Sequence, residues 1–134
     1  MQFNAKRYII DVLIVIGLSA LGGFFIGFFG AFTSMSDEQK MMLIALSNII
    51  SLLAGFWIVG CINKTGEASR FKYLAYVMLA VWLFGLINVA LFGFPFSQWV
   101  ASGIVVAVLG FLGGGLSFLT CKAIENKKEE NIEQ

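Results

Sequence analysis

Apolar residues fall along this chain in four long runs, from about 8–32, 41–62, 73–92 and 99–121, separated by short polar stretches. A helix needs about 20 mostly apolar residues to cross the hydrocarbon of a bilayer, and each run meets that length. None alternates apolar and polar positions as a membrane strand must. In lipid the backbone has to satisfy its own hydrogen bonds, which leaves helices. The pattern therefore predicts an all-α membrane protein, with four transmembrane helices in an up-down bundle.

The connections are short enough to force neighbouring helices antiparallel. Residues 33–40 (TSMSDEQK) join the first pair, with Ser36 placed to cap the second helix ahead of Asp37 and Glu38. Residues 63–72 (NKTGEASRFK) join the pairs, and Gly93 to Ser97 turn the last hairpin, where Pro95 ends one helix and Ser97 can cap the next. The chain reads as one membrane domain, with a polar tail at 122–134 in which Lys127 and Lys128 are balanced by Glu125, Glu129, Glu130 and Glu133.

Composition sharpens this picture. Hydrophobic residues make up 59% and charged residues 13% of the 134, against about a quarter charged in a soluble domain. That excludes both a soluble domain and intrinsic disorder. There is no histidine, so the commonest general base and metal ligand is missing. Neither a catalytic centre, a metal site nor a cofactor is expected, and the net charge of +1 gives no reason to expect nucleic acid.

Eight of the nine lysines and arginines (Lys6, Arg7, Lys64, Arg70, Lys72, Lys122, Lys127 and Lys128) lie on one side of the spans, and Lys40 alone lies on the other. The positive-inside rule then places both termini in the cytoplasm, in a multi-pass protein of the bacterial inner membrane. Tyr8 and Tyr73 fall at the inner interface and Trp99 near the outer one, where amphipathic rings prefer to sit. The first run is too long for a cleaved signal peptide. Cys61 and Cys121 lie at the cytoplasmic ends of helices, where a reducing compartment argues against a structural disulfide. They are expected to be small unpaired membrane residues.

Candidate chemistry is sparse. Asp11 is the only ionisable residue inside a run, one turn beyond Arg7, and is expected to snorkel toward the headgroups beside that arginine. Ser47, Asn48, Ser51 and Gly55 share a face of the second helix, and Asn88 is a second amide in the third span. These groups are either hydrogen-bonding glue between helices or a polar lining for a headgroup or ion. Gly23/Gly27 and Gly110/Gly114 are small-xxx-small pairs that allow close helix packing, within the monomer or across an oligomer. Gly113 to Gly115 could form a hinge or bulge. The two hairpins are weakly alike: Lys-Arg-Tyr at 6–8 and Phe-Lys-Tyr at 71–73 open them, and both close on a cysteine.

The stretch SNIISLLAGFWIVGCINK (47–64) resembles the second span of the GtrA-like family, small four-span bacterial proteins associated with moving polyprenyl-phosphate-linked sugars across the inner membrane. Asn48 and Ser51, three apart, and Asn63 followed by Lys64 match the opening and close of that span. Arg70-Phe71 and the Gly93 to Ser97 turn are similar in kind, so that the resemblance covers roughly 47–121. It departs where that family carries a tryptophan-containing segment, since the chain reads Thr65-Gly66-Glu67 and Ala123-Ile124-Glu125. The resemblance implies flipping of a lipid-linked sugar, with Ser47, Asn48, Ser51 and Asn88 facing the substrate and Lys64, Arg70 and Lys72 gathering its phosphate. Two other classes fit the bare pattern. One is an accessory subunit that packs against a partner membrane protein, and the other is a small channel built by a homo-oligomer. In each case membrane lipids are partners.

Overall fold

A computed structural model describes residues 5–62 and 67–132, with side chains other than those of 67–70, 88, 92 and 122–132. Among the described residues the chain is helical and contains no strand. The elements are α1 (Ala5–Phe32), α2 (Asp37–Ile62), α3 (Glu67–Phe84), α4 (Leu86–Phe92) and α5 (Phe96–Ile132). Among the described residues, four helical stretches are long and apolar enough to cross a membrane: Ala5–Phe32, Asp37–Ile62, Phe71–Leu91 and Phe96–Cys121. Their surfaces agree, because large apolar side chains point outward over the whole bundle, up to Phe32 at 77% exposure. Such a surface is stable only against lipid.

Local chemistry sets the helix ends. The Ser36 N–H donates to Gln39 Oε1 at 3.1 Å and the Gln39 N–H donates to Ser36 Oγ at 3.3 Å, a reciprocal cap on α2. Asp37 and Glu38 follow in the first turn, where the helix dipole favours negative charge. α4 ends at Gly93, which takes the left-handed conformation (φ 67°) that costs glycine nothing. α5 begins at Phe96, so Ser97 lies inside its first turn, and the Gln98 and Trp99 N–H groups donate to the Pro95 carbonyl.

The third span departs from a single helix. It breaks at Gly85, between α3 and α4, where the Gly85 N–H is shared between the carbonyls of Val81 (3.3 Å) and Trp82 (3.0 Å). The Trp82 carbonyl also accepts the indole N–H of Trp99 at 2.9 Å, and the Trp99 carbonyl accepts that of Trp82 at 3.0 Å. The two rings stack at 4.3 Å with 6° between their planes. This pair pins the end of α3 to the start of α5. α5, by contrast, passes through Gly113 to Gly115 without interruption and continues to Ile132, so the triple glycine is no hinge.

Touching residues give the packing directions. Arg7 meets Ile62, Gly22 meets Ser47 and Gly30 meets Lys40, so α1 and α2 form an antiparallel hairpin. Gly114 meets Leu74 and Gly110 meets Met78, so α3 and α5 form another. α2 and α5 run side by side in the same direction, with Gly60 beside Ser117 and Phe56 beside Gly113. Val15, Phe56, Val59, Leu74 and Val77 are buried where the hairpins meet. The core therefore sits toward the end of the bundle at which Lys6, Arg7 and Lys72 lie, called here the basic end.

Candidate functional site

At the basic end the first and third spans meet through a polar cluster. Asp11 is 1% exposed and accepts a hydrogen bond from the Tyr73 hydroxyl at 2.6 Å. Tyr73 is itself buried and packs edge-on against Tyr8 at 6.2 Å, and the Tyr8 hydroxyl donates to the Tyr76 carbonyl at 2.9 Å. The Arg7 guanidinium donates to the Ile62 carbonyl at 2.6 Å, closing the end of α2 against the start of α1. This overturns two expectations. Asp11 does not snorkel to the headgroups, and Tyr73 is a core residue rather than an interfacial anchor. A buried carboxylate is stable only if its oxygens are bonded, and Tyr73 comes from another span, so no spacing within α1 announces it.

One turn further along, the two cysteines correct a third expectation. Cys61 of α2 and Cys121 of α5 are joined in a disulfide, with their Cα atoms 5.7 Å apart. Gly60, Gly113 and Ser117 are small enough to let these helices approach so closely. The two thiols lie far apart in sequence, and only the parallel alignment of α2 with α5 brings them together.

The polar stripe of α2 turns toward α1. The Ser19 hydroxyl donates to Asn48 Oδ1 at 2.9 Å, and Ser47 and Ser51 close over Gly22, where a Cβ would lie 2.5 and 2.8 Å from their hydroxyl oxygens. Gly55 on the same stripe lies against Val15, where a Cβ would meet the Val15 Cα at 3.1 Å. Ser47, Asn48 and Ser51 thus sit at the seam within one hairpin. Asn88 lies in α4 and Arg70 in α3, both with side chains outside the described ones, and Lys64 lies outside the described residues. Lys72 is exposed on α3 at the basic end.

The glycine pairs part company. Gly110 and Gly114 pack within the molecule, against Met78 and Leu74. Among the described residues, nothing lies within 4 Å of where a Cβ would stand on Gly23, Gly27 or Gly17. Gly23→Leu should therefore hold or raise the melting point of the isolated monomer. A drop in thermal unfolding in detergent would show that α1 packs against its own chain at this position.

Sequence reasoning did not anticipate the flank formed by α3 and α5. A lateral groove of about 520 Å³ runs between them, walled by Met78, Leu79, Trp82, Ile104, Ala107 and Phe111 and open toward the lipid. Lys72 precedes Ala75 and Leu79 by three and seven residues, so it stands on the stripe of α3 that lines the groove. Trp82 faces this groove, while its stacking partner Trp99 lines a smaller cavity of about 260 Å³ with Gln98 and Ser102. The geometry suits an amphiphile, with hydrocarbon against the apolar wall and an anionic group near Lys72.

Compared with protein-family models, curated proteins and solved structures, the chain matches none.

Proposed function

We propose that this protein translocates a polyprenyl-phosphate-linked sugar across the bacterial inner membrane, without catalysing any bond change. The observation that carries the reading is the lipid-facing groove between α3 and α5 with Lys72 on its stripe. An isoprenoid chain would remain in contact with the bilayer along the groove while its phosphate meets the cation. The resemblance of 47–64 to the GtrA-like span supports the same substrate class. In this reading both termini are cytoplasmic, because eight of the nine lysines and arginines fall on one side of the spans in the sequence. Relative to the sequence expectation, the contact with substrate moves from the α2 stripe, engaged with α1, to the outer face of the second hairpin.

The test is transport of a fluorescent short-chain polyprenyl-phosphate sugar in vesicles containing the purified protein. Ala107→Trp fills the groove from the lipid side and should reduce translocation about tenfold or more, the effect of losing roughly 1.4 kcal/mol of lipid binding. Lys72→Glu should weaken transport, and Lys72→Arg should keep it. Wild-type rates with Ala107→Trp would remove the groove from the path.

A second reading, an accessory subunit, is favoured by one observation. A Cβ on Gly17, Gly23 or Gly27 of α1 would meet no described residue within 4 Å, as on a helix that reserves small residues for a partner. Loss of a co-purifying membrane protein in Gly23→Leu, with lipid-linked sugar transport absent throughout, would select this reading over translocation.

A further inference from the structure

We propose that Cys61 and Cys121 are a reversible oxidation site that clasps the two hairpins together at the basic end. Cys61 belongs to the α1–α2 hairpin and Cys121 to the hairpin of α3 and α5. Their Cα separation of 5.7 Å lies within the range that a disulfide spans without moving the backbone.

The proximity does not depend on the sulfur–sulfur bond. Gly113 sits under Phe56 and Leu53, Gly60 sits against Ser117, and the Trp57 indole N–H donates to Thr120 Oγ1 at 2.8 Å. These contacts flank the cysteines and involve neither sulfur, so reduction removes none of them and the pair stays poised to close. Both cysteines are half-buried and stand at the ends of their spans, within reach of small thiols in the water phase.

The distribution of charge sets the compartment. In the sequence eight of the nine basic residues fall on this side of the spans, which assigns it to the cytoplasm, where disulfides that form are transient rather than structural. Closing the bond crosslinks the hairpins where Tyr73–Asp11 and Tyr8–Tyr76 also join them. A carrier that works by moving one hairpin against the other would be arrested by that crosslink. This consequence for transport rests on the translocation reading, whereas the clasp itself does not.

The chemistry is an exchange with a small-molecule disulfide of the glutathione type. One cysteine thiolate attacks a sulfur of the small disulfide, forming a mixed disulfide and releasing one small thiolate. The second cysteine thiolate then attacks the protein-bound sulfur of that mixed disulfide and releases the other small thiolate. The two cysteines together lose two protons and two electrons, and the small disulfide is reduced to two thiols.

The full chain in vesicles is equilibrated in glutathione buffers and trapped with a membrane-impermeant maleimide. Amide hydrogen exchange is followed in parallel, with Cys61→Ser as the permanently open form. Three results are expected. The thiols appear and disappear across the glutathione range, they label from the face that carries the basic residues, and amides at the end of α2 exchange about tenfold or more slowly once oxidised, within the scale of disulfide stabilisation. Transport should fall on oxidation in the wild type and not in Cys61→Ser. A bond that stays closed at every glutathione ratio, or labelling only from the opposite face, overturns the proposal and makes the disulfide structural. Equal exchange in both redox states overturns it as well. If labelling and exchange behave as expected while no sugar is transported in either state, the clasp stands and the translocation reading fails.

Discussion

Gly113→Leu should destabilise this protein more than any other single glycine replacement in α5. A Cβ at position 113 would lie 2.8 Å from the Phe56 Cβ, 2.9 Å from the Leu53 carbonyl oxygen and 3.1 Å from the Trp57 nitrogen. Two of those three atoms are backbone, so α2 cannot yield by rotating a side chain. Overpacking a tight site typically costs about 1–3 kcal/mol, and a backbone obstacle puts this replacement at the upper end. Gly115→Leu is the matched control, because nothing lies within 4 Å of a Cβ there. A leucine in place of glycine inside a helix is otherwise favourable by up to about 1 kcal/mol. Thermal unfolding in detergent, followed through tryptophan fluorescence, should therefore drop sharply for the first variant and hold or rise for the second. Equal midpoints would mean that α2 and α5 do not meet as described.

Tyr73→Phe carries the second large effect. It removes only a hydroxyl, but that hydroxyl donates at 2.6 Å to a carboxylate oxygen of a residue only 1% exposed. Losing one donor to a buried acceptor costs up to about 1–3 kcal/mol. Asp11→Asn keeps an oxygen for Tyr73 to donate to, and should destabilise less than Asp11→Ala. The decisive measurement is the double-mutant cycle of Tyr73→Phe with Asp11→Ala, which leaves Tyr73 no carboxyl or amide oxygen to donate to. Groups in one hydrogen bond couple by about 0.5–3 kcal/mol. A coupling of zero would detach Tyr73 from Asp11 and leave the first and third spans joined at this end by the Tyr8–Tyr76 hydrogen bond and by packing.

Both predictions concern contacts between hairpins, and neither was legible along the chain. Gly113 looked like one member of a flexible triplet, while Gly23 and Gly27 looked like a packing motif equal to Gly110 and Gly114. The structure separates them by what stands opposite, which is Phe56 and Leu53 for Gly113 and open space for Gly23. The α2 stripe was legible as a polar face, but its partner, the Ser19 and Gly22 face of α1, was not. The groove beside Lys72 left no trace in the order of residues, since its walls come from both members of a hairpin.

Run length and composition are enough to predict four helices long and apolar enough to span a membrane, because the hydrocarbon thickness sets how many apolar residues are needed and lipid forbids any unpaired backbone. Local chemistry is likewise enough for the Ser36 cap and the turn at Gly93 and Pro95, where the deciding atoms are a few residues apart. Which way each helix faces is another matter. In a soluble bundle an apolar stripe marks the buried side, but apart from the α2 stripe these spans are apolar on nearly every face, because lipid is as apolar as the core. Facing is then decided by the fit of small residues, by where Asp11 finds a donor, and by the parallel register that brings Cys61 to Cys121. Those are relations between residues on different helices, and they arise only when the chain packs in three dimensions.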